Sequence, residues 1–396
     1  MGNYNFSRRV ADVPDSGIGT IMSYAARYSD VISLGQGAPQ FKTPQFVYDE
    51  LYARSKTDPL LGSYNSENDK IQSPLKELLI KDISEKYGFT PDRNQIYLTL
   101  GGIGGLFASL MSILEPGDEV IYFDPGYPLH LSQLALAQAK PVFVPLDEKR
   151  DWSPDMDKLT AAVTPKTKAV ILTNPNNPTG TVLSREQVEQ LSRIILKHNL
   201  YLVVDEAYAY LTYDRELYSP MFIPELRQRI ILSKSFSKEF AMTGWRIGYV
   251  VADPEIIRKI SSIHLHFSLN PATISIVAAT IVLNDPRGQG AMKEFKSEIT
   301  KSREVICQRM ASLSKLFAFN PPHGSFYLFP RILPPGLSAL DLAKRLVDEA
   351  QVITIPGDSM GPSGKGHLRL SFSAGPQIIN LAFDRLESFC QKNNYC

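Results

Sequence analysis

The segment Ser233-Lys234-Ser235-Phe236-Ser237-Lys238, followed by Thr243-Gly244-Trp245-Arg246, gathers hydroxyls, two lysines and an arginine within a short stretch. A lysine amine held partly out of water attacks a carbonyl and forms a Schiff base, while hydroxyls and a bidentate guanidinium suit a phosphate. A phosphorylated aldehyde would use all of them at once. Taken alone, such a cluster is more often a solvated basic loop.

Two further segments change that weighing. Asp205 ends the wholly apolar run Leu200–Val204 and is followed by Glu206, Ala207 and Tyr208. A carboxylate at the C-terminal end of a central parallel strand lies where α/β sheets bind ligands, and it could hold a proton on a heterocyclic nitrogen. Its plain alternative is a helix N-cap. Asn174-Pro175-Asn176-Asn177-Pro178-Thr179-Gly180 follows the apolar run Ala169–Leu172 and, by itself, is a rigid Pro/Asn turn. Both loops leave neighbouring strands at the same sheet edge.

The elements that must position these residues alternate. Strand-like runs occur at Gln95–Thr99, Glu119–Phe123, Pro141–Pro145, Ala169–Leu172, Leu200–Asp205, Ile230–Ser233 and Ile247–Val251, with helical periodicity at Gly104–Leu114, His130–Gln138, Arg185–His198 and Glu255–His264. That is an α/β pattern with a mostly parallel sheet covered on both faces. The last third reads as a long helix at Lys293–Leu316, a Pro/Gly break at Asn320–Gly324, a strand at Ser325–Phe329, a helix at Ser338–Ala350, strands near Val352–Ile355 and His367–Ser371, and a closing helix at Pro376–Lys392. One strand, Val31–Leu34, precedes the large domain. The expected organisation is an N-terminal arm and part of a small domain over 1–45, a large domain over 46–290, and a linking helix with the C-terminal small domain over 291–396.

Composition narrows the function classes. With 396 residues, a net charge of +1 and 21% charged residues, the chain has an ordinary globular balance and lacks the global basic field of a nucleic-acid binder. No uncharged apolar run is long enough to cross a bilayer, and Met1–Val10 lacks the apolar middle of a secretory signal. Cys307, Cys390 and Cys396 form no metal-ligand or disulfide spacing, so no metal is expected and a reducing cytoplasm fits best.

Taken in order, SLGQGAPQF (33–41), LTLGGIGGLF (98–107), PGDEV (116–120), PGYP (125–128), NPNNPTG (174–180), DEAY (205–208), SFSK through GWRIGY (235–249), GSFYLF (324–329) and HLRLSF (367–372) resemble the pyridoxal-5′-phosphate-dependent aminotransferases of class I/II, fold type I, nearly end to end. The resemblance implies a mostly parallel seven-stranded sheet in the large domain and a smaller α+β domain built from both termini. It implies that Lys238 forms the internal aldimine and moves the proton, that Asp205 keeps the pyridine nitrogen protonated, and that Asn177 and Tyr208 bond the ring's phenolic oxygen. The phosphate would lie at the helix N-terminus beside Gly101, Gly102 and Ile103, with Ser235, Ser237 and Arg246. Tyr127 would stack on the ring, and Arg369 would clamp the substrate α-carboxylate with help from Asn177 and the backbone of Gly37.

Tyr64 resembles the tyrosine that reaches a partner subunit's cofactor phosphate, which implies a homodimer with shared active sites. The loop after it departs from the family, with Leu75-Lys76 displaced and no glycine. Ile103 stands where related bacterial aspartate aminotransferases carry a lysine that pairs with a second carboxylate. An unpaired buried carboxylate costs several kcal/mol on the usual order, so a neutral, aromatic or polar amino acid is the expected donor and a 2-oxo acid the acceptor, in a ping-pong cycle. The same departures leave a lyase, cyclase or oxygen-using amino-acid oxidase as the alternative. His264 and His266 could border the partner's site but read more simply as packed or surface histidines, and Asp12, Asp15, Glu67 and Asp69 as a solvated acidic face near the entrance.

Overall fold

The computed structural model describes residues 6–14, 17–67 and 69–395, so Asp15, Asn68 and Cys396 lie outside the described residues. The first strand, β1 (Ile32–Ser33), is shorter than the run Val31–Leu34 and pairs in parallel with Val352–Ile353 near the other end of the chain.

The large sheet contains β2 (Ile96–Leu100), β3 (Glu119–Asp124), β4 (Lys140–Asp147), β5 (Ser153–Pro154), β6 (Thr167–Thr173), β7 (Tyr201–Asp205), β8 (Ile230–Ser235) and β9 (Ile247–Ala252), in the order β2-β9-β8-β7-β6-β3-β4-β5. Seven of these are the runs read from the sequence. The two-residue β5, which has no apolar run of its own, adds an antiparallel edge beside β4. Strands β8, β7, β6, β3 and β4 run parallel, and β9 opposes both of its neighbours, so β2 runs with the parallel set.

Successive residues of a strand face opposite sides, and here both sides are apolar. Ile171, Val203, Ile231 and Val250 pack with the helices Gly101–Ile113 and Pro254–Ser268, while Leu172, Val204, Leu232 and Val251 join the core on the other face. Burial on both faces explains why these strands read as continuous apolar runs.

Local signals set the helix ends. Ser184 and Gln187 form a reciprocal cap on Arg185–Lys197, Asp253 caps Pro254–Ser268, and Ser338 caps Ala339–Ala350. The long helix begins at Pro286, capped by Asp285, and ends at Ala311, so it is longer at its start than the apolar spacing from Lys293 suggests. Tyr327–Leu328 and Ile355–Pro356 both pair antiparallel with Leu368–Ser371, which carries Arg369. Among the described residues no helix is long and apolar enough to cross a membrane.

Candidate active site

Five loops leave the C-terminal ends of β2, β3, β6, β7 and β8 at one edge of the sheet, and β9 starts there because it runs the other way. This is the edge at which open α/β sheets collect ligands. The loops enclose a cavity of about 340 Å³ lined by Gly102, Ile103, Tyr127, Asn177, Asp205, Tyr208, Ser235, Ser237, Lys238 and Arg246, together with Gly37 and Arg369 from outside the large sheet. Twelve of the fourteen residues singled out from the sequence therefore meet in one place.

Gly101 lies beneath Arg246. Its φ of 66° is in the left-handed region, which favours glycine, and a Cβ there would stand 2.6 Å from the guanidinium and displace it. The helix Gly101–Ile113 starts at this point with the backbone N–H groups of its first turn directed towards the cavity end. Arg246 donates to the Thr243 carbonyl at 3.0 Å and lies 3.5 Å from Ser237 Oγ, while Ser235 Oγ accepts from Ser237 N at 3.1 Å. The first-turn amides, two hydroxyls and a guanidinium around a glycine cradle fit a phosphate.

The Lys238 amine donates to the Gly37 carbonyl. Burial, helped by the positive charges of Arg369 and Arg246 and opposed by Asp205, lowers its pKa to about 8. A lysine so shifted is a nucleophile near neutral pH. Asp205, at the end of β7, accepts from Ala207 N at 3.1 Å, and its other oxygen is 3.4 Å from Nε2 of the buried His130. His130 carries no signal in the sequence; a histidine on an amphipathic helix is indistinguishable from core until the fold brings it to a carboxylate.

Arg369 is 1% exposed. It donates to Asn177 Oδ1 at 3.1 Å and to the Gly35 carbonyl at 2.9 Å, and its Nε is buried without a partner among the described residues. The backbone carbonyl of Gly37, on the same wall, accepts from Lys238. Tyr327, which the sequence offers only as part of GSFYLF, completes this wall. The Tyr327 hydroxyl lies 2.8 Å from that of Tyr208, and its ring packs under the Arg369 guanidinium at 4.6 Å. A Cβ on Gly37 would stand 2.2 Å from the Tyr327 oxygen, which explains the glycine. Burial, with Tyr327 alongside, raises the Tyr208 phenol well above its ordinary pKa and keeps it protonated. Gln36, Ile18, Leu106 and Leu129 also line the cavity.

Over nearly its full length the sequence is similar to proteins of known activity. The family model for aminotransferase class I and II matches residues 29–381. The chain belongs to the class I and II aminotransferase family. It is 32% identical over 386 residues to an aspartate aminotransferase of Pyrococcus horikoshii, covering 97% of each chain. It is also 32% identical to aromatic-amino-acid aminotransferase 2 of Thermococcus litoralis, over 96% of this chain and 97% of the relative. The crystal structure of an aromatic aminotransferase from Pyrococcus horikoshii superimposes with a TM-score of 0.87 at 31% identity, over 95% of this chain and all of that one. The fold is therefore the fold type I α/β architecture, and the protein is an aminotransferase.

The other residues that the sequence brings to notice lie apart from the cavity of this aminotransferase. Tyr64 is 91% exposed and lines a second surface cavity with Leu269, Pro271 and Ile274. Its loop is held by Asn65, which donates to Pro271 O at 2.9 Å and Thr273 Oγ1 at 3.0 Å. Asp69 accepts from the backbone N–H groups of Ile71 and Gln72, both at 2.8 Å, and Glu67 pairs with the fully buried Lys76 at 2.8 Å, so these two carboxylates have structural partners. The displaced Lys76 is thus an internal ion-pair residue. His264 is buried and its Nε2 accepts from Leu100 N at 2.9 Å, which props the turn before Gly101; burial lowers its pKa. His266 is exposed and bonds within its own helix, at Ser262 O.

Proposed function

We propose that this aminotransferase uses pyridoxal 5′-phosphate to move the amino group of an L-amino acid with a neutral, aromatic or polar side chain to a 2-oxo acid in a ping-pong cycle. The observation that carries this reading is Lys238, its amine held near neutrality in a cavity that also holds Asp205, Arg246 and Arg369. When bound, the cofactor supplies a carbonyl carbon for the amine and a protonated ring that takes up the electron pair left at the substrate α-carbon.

The chain's own residues would divide the remaining work. The first-turn amides after Gly101, with Gly102, Ile103, Ser235, Ser237 and Arg246, hold the phosphate. Tyr127 covers the ring, Asp205 holds a proton on the ring nitrogen with His130 behind it, and Asn177 and Tyr208 bond the phenolic oxygen. Arg369, braced by Asn177, binds the α-carboxylate, to which its free Nε can donate. Lys238 takes the proton from the α-carbon and returns it to the cofactor side.

The side-chain preference is supported by the rest of the lining. Ile18, Ile103, Leu106 and Leu129 are aliphatic, and the cations among the lining residues are Lys238, Arg246 and Arg369, all assigned above. A second carboxylate has no counter-charge among them. The relatives are named for aspartate and for aromatic substrates alike, so the side-chain preference rests on the lining alone. Their names favour transamination over elimination or oxidation.

The exposed Tyr64 and the apolar side chains Leu265, Phe267, Leu269 and Ile274, between 46% and 50% exposed apart from Phe267 at 43%, support a homodimer in which Tyr64 reaches the partner's phosphate site. The three sparse cysteines, Cys307, Cys390 and Cys396, suit a reducing cytoplasm, and the division at 1–45, 46–290 and 291–396 is the proposed domain organisation.

The test is a single-turnover experiment: cofactor-loaded protein is mixed with ¹⁵N-labelled amino acids one at a time, then with a 2-oxo acid. Transfer of label from a neutral or aromatic donor to the 2-oxo acid supports the proposal. Release of free ammonia, or transfer from aspartate alone, overturns it.

A further inference from the structure

The helix Gln72–Tyr87 ends on two consecutive residues that reach the side of the β7–β8 edge opposite the cavity. Lys86 Nζ lies 3.0 Å from Glu239 and 3.1 Å from Asp82. The Tyr87 hydroxyl donates to Glu206 Oε2 at 2.6 Å and accepts from Lys234 Nζ at 3.1 Å, and Lys234 is itself 3.7 Å from Glu206. Ser219 donates to the other oxygen of Glu206, and Tyr210 donates to the backbone carbonyl of Lys238. Glu206 and Lys234 are 1% and 3% exposed.

Three members of this cluster adjoin residues of the cavity. Glu206 follows Asp205, Glu239 follows Lys238, and Lys234 precedes Ser235. Because successive residues of an extended chain face opposite sides, holding Glu206 and Lys234 behind the sheet fixes the direction in which Asp205 and Ser235 point in front of it. Lys238 sits on a helix of four residues, Phe236–Glu239, too short to hold itself, and it is gripped from behind through Glu239 and through its own carbonyl. Well-packed apolar residues would commonly be at least as stabilising as buried ion pairs, so stability alone does not account for this many charges. What paired charges add is a defined geometry for the residues that carry them.

We infer that the last turn of the helix Gln72–Tyr87 positions the reaction centre: Tyr87 through Glu206 sets Asp205, and Lys86 through Glu239 sets Lys238. Tyr87, Glu206, Lys86 and Glu239 are positioning residues, and the inference rests on the roles proposed above for Asp205 and Lys238.

The test compares Tyr87→Phe, Lys86→Arg and Lys238→Ala with the unaltered chain. Three quantities are read: the melting temperature, the rate at which cofactor-free protein takes up pyridoxal 5′-phosphate, followed by visible absorption, and kcat and KM for the amino donor. Removal of the Tyr87 hydroxyl should slow uptake about fivefold and lower kcat about tenfold with KM within about twofold, at a melting temperature close to the parent's, because sub-ångström misplacement acts on the reacting geometry and not on binding. Lys86→Arg, which keeps the charge, should retain at least about half of both rates. Should Tyr87→Phe not fold, the joint change Glu206→Gln with Lys234→Met carries the same test with both charges of that pair removed together. Unchanged uptake and kcat in Tyr87→Phe or in the joint Glu206→Gln, Lys234→Met change, or losses that merely follow the folded fraction, overturn the inference while leaving Lys238 and Asp205 in their roles. If Lys238→Ala itself retains activity, the reading of the site falls and the inference falls with it.

Discussion

On the cavity side of β7 and β8, Lys238, Arg246 and Arg369 share one carboxylate, Asp205, and Arg369 Nε is buried with no partner among the described residues. On the far side Lys86 and Lys234 are interleaved with Asp82, Glu206 and Glu239 at 3.0 to 3.7 Å. The cavity side thus carries two cations in excess, whereas on the far side each cation lies within 3.7 Å of a carboxylate. The unbalanced side keeps a positive field for anionic ligands and holds a lysine amine near neutrality; the matched side holds its groups in place. Polar groups that a stable fold alone would pair are left open where a ligand must pair them.

The contrast can be broken at several points. The largest effect is expected from Lys238→Ala, which should abolish both the visible absorption of loaded protein and turnover, a loss of about 10⁴-fold or more in kcat; persistence of the colour would remove Lys238 from the centre. Arg369→Ala should raise KM for the amino donor about a hundredfold, as expected for lost charge-assisted hydrogen bonds, with cofactor uptake intact. Loss of cofactor in that variant would place Arg369 in the phosphate site or in folding instead. Ile103→Lys should add the missing counter-charge and raise kcat/KM for aspartate about tenfold relative to a neutral donor, measured in paired competition assays.

Smaller effects sharpen the comparison. Lys86→Met should destabilise the fold by about 1–3 kcal/mol in urea unfolding, less than a fully buried pair because Lys86 is partly exposed, by leaving Glu239 and Asp82 without their cation. The pH dependence distinguishes the two sides directly. Labelling of Lys238 by an amine reagent in cofactor-free protein should rise with a midpoint of about 8, against 10.5 for an ordinary lysine. Arg369→Ala should move that midpoint upward, since the guanidinium lowers it. The folded chain then binds fewer protons than the unfolded chain between those two values, so the contribution of Lys238 to stability rises with pH across that window.

The seven main strands were legible because burial on both faces leaves continuous apolar runs, and the helix starts because Ser184, Asp253 and Ser338 stand at their caps. β5 and the first turns of the long helix were not, since two residues pairing at a sheet edge and a capped but polar start carry no periodicity. In the site, the motifs led to most of the residues but not to every one that lines the cavity: Tyr327, inside GSFYLF, carried no assigned role. His130, Tyr327, Ile18 and Leu129 stand on elements whose apolar or aromatic character reads as core; Lys76, read only as part of a displaced Leu-Lys pair, is a buried ion-pair partner, and His264 is packed in keeping with its simpler reading.

What the sequence determined by itself is the set of chemical groups and the sheet edge to which they belong, because strand ends and turn residues are local properties of the chain. Which groups remain unpaired was decided only by tertiary structure. The depression of the Lys238 pKa depends on burial and on Arg369, 131 positions further on in a different sheet, and the restraint behind it depends on a helix that ends at Tyr87. Charge balance acts through distance in space and through exclusion of water, and neither is written in sequence separation.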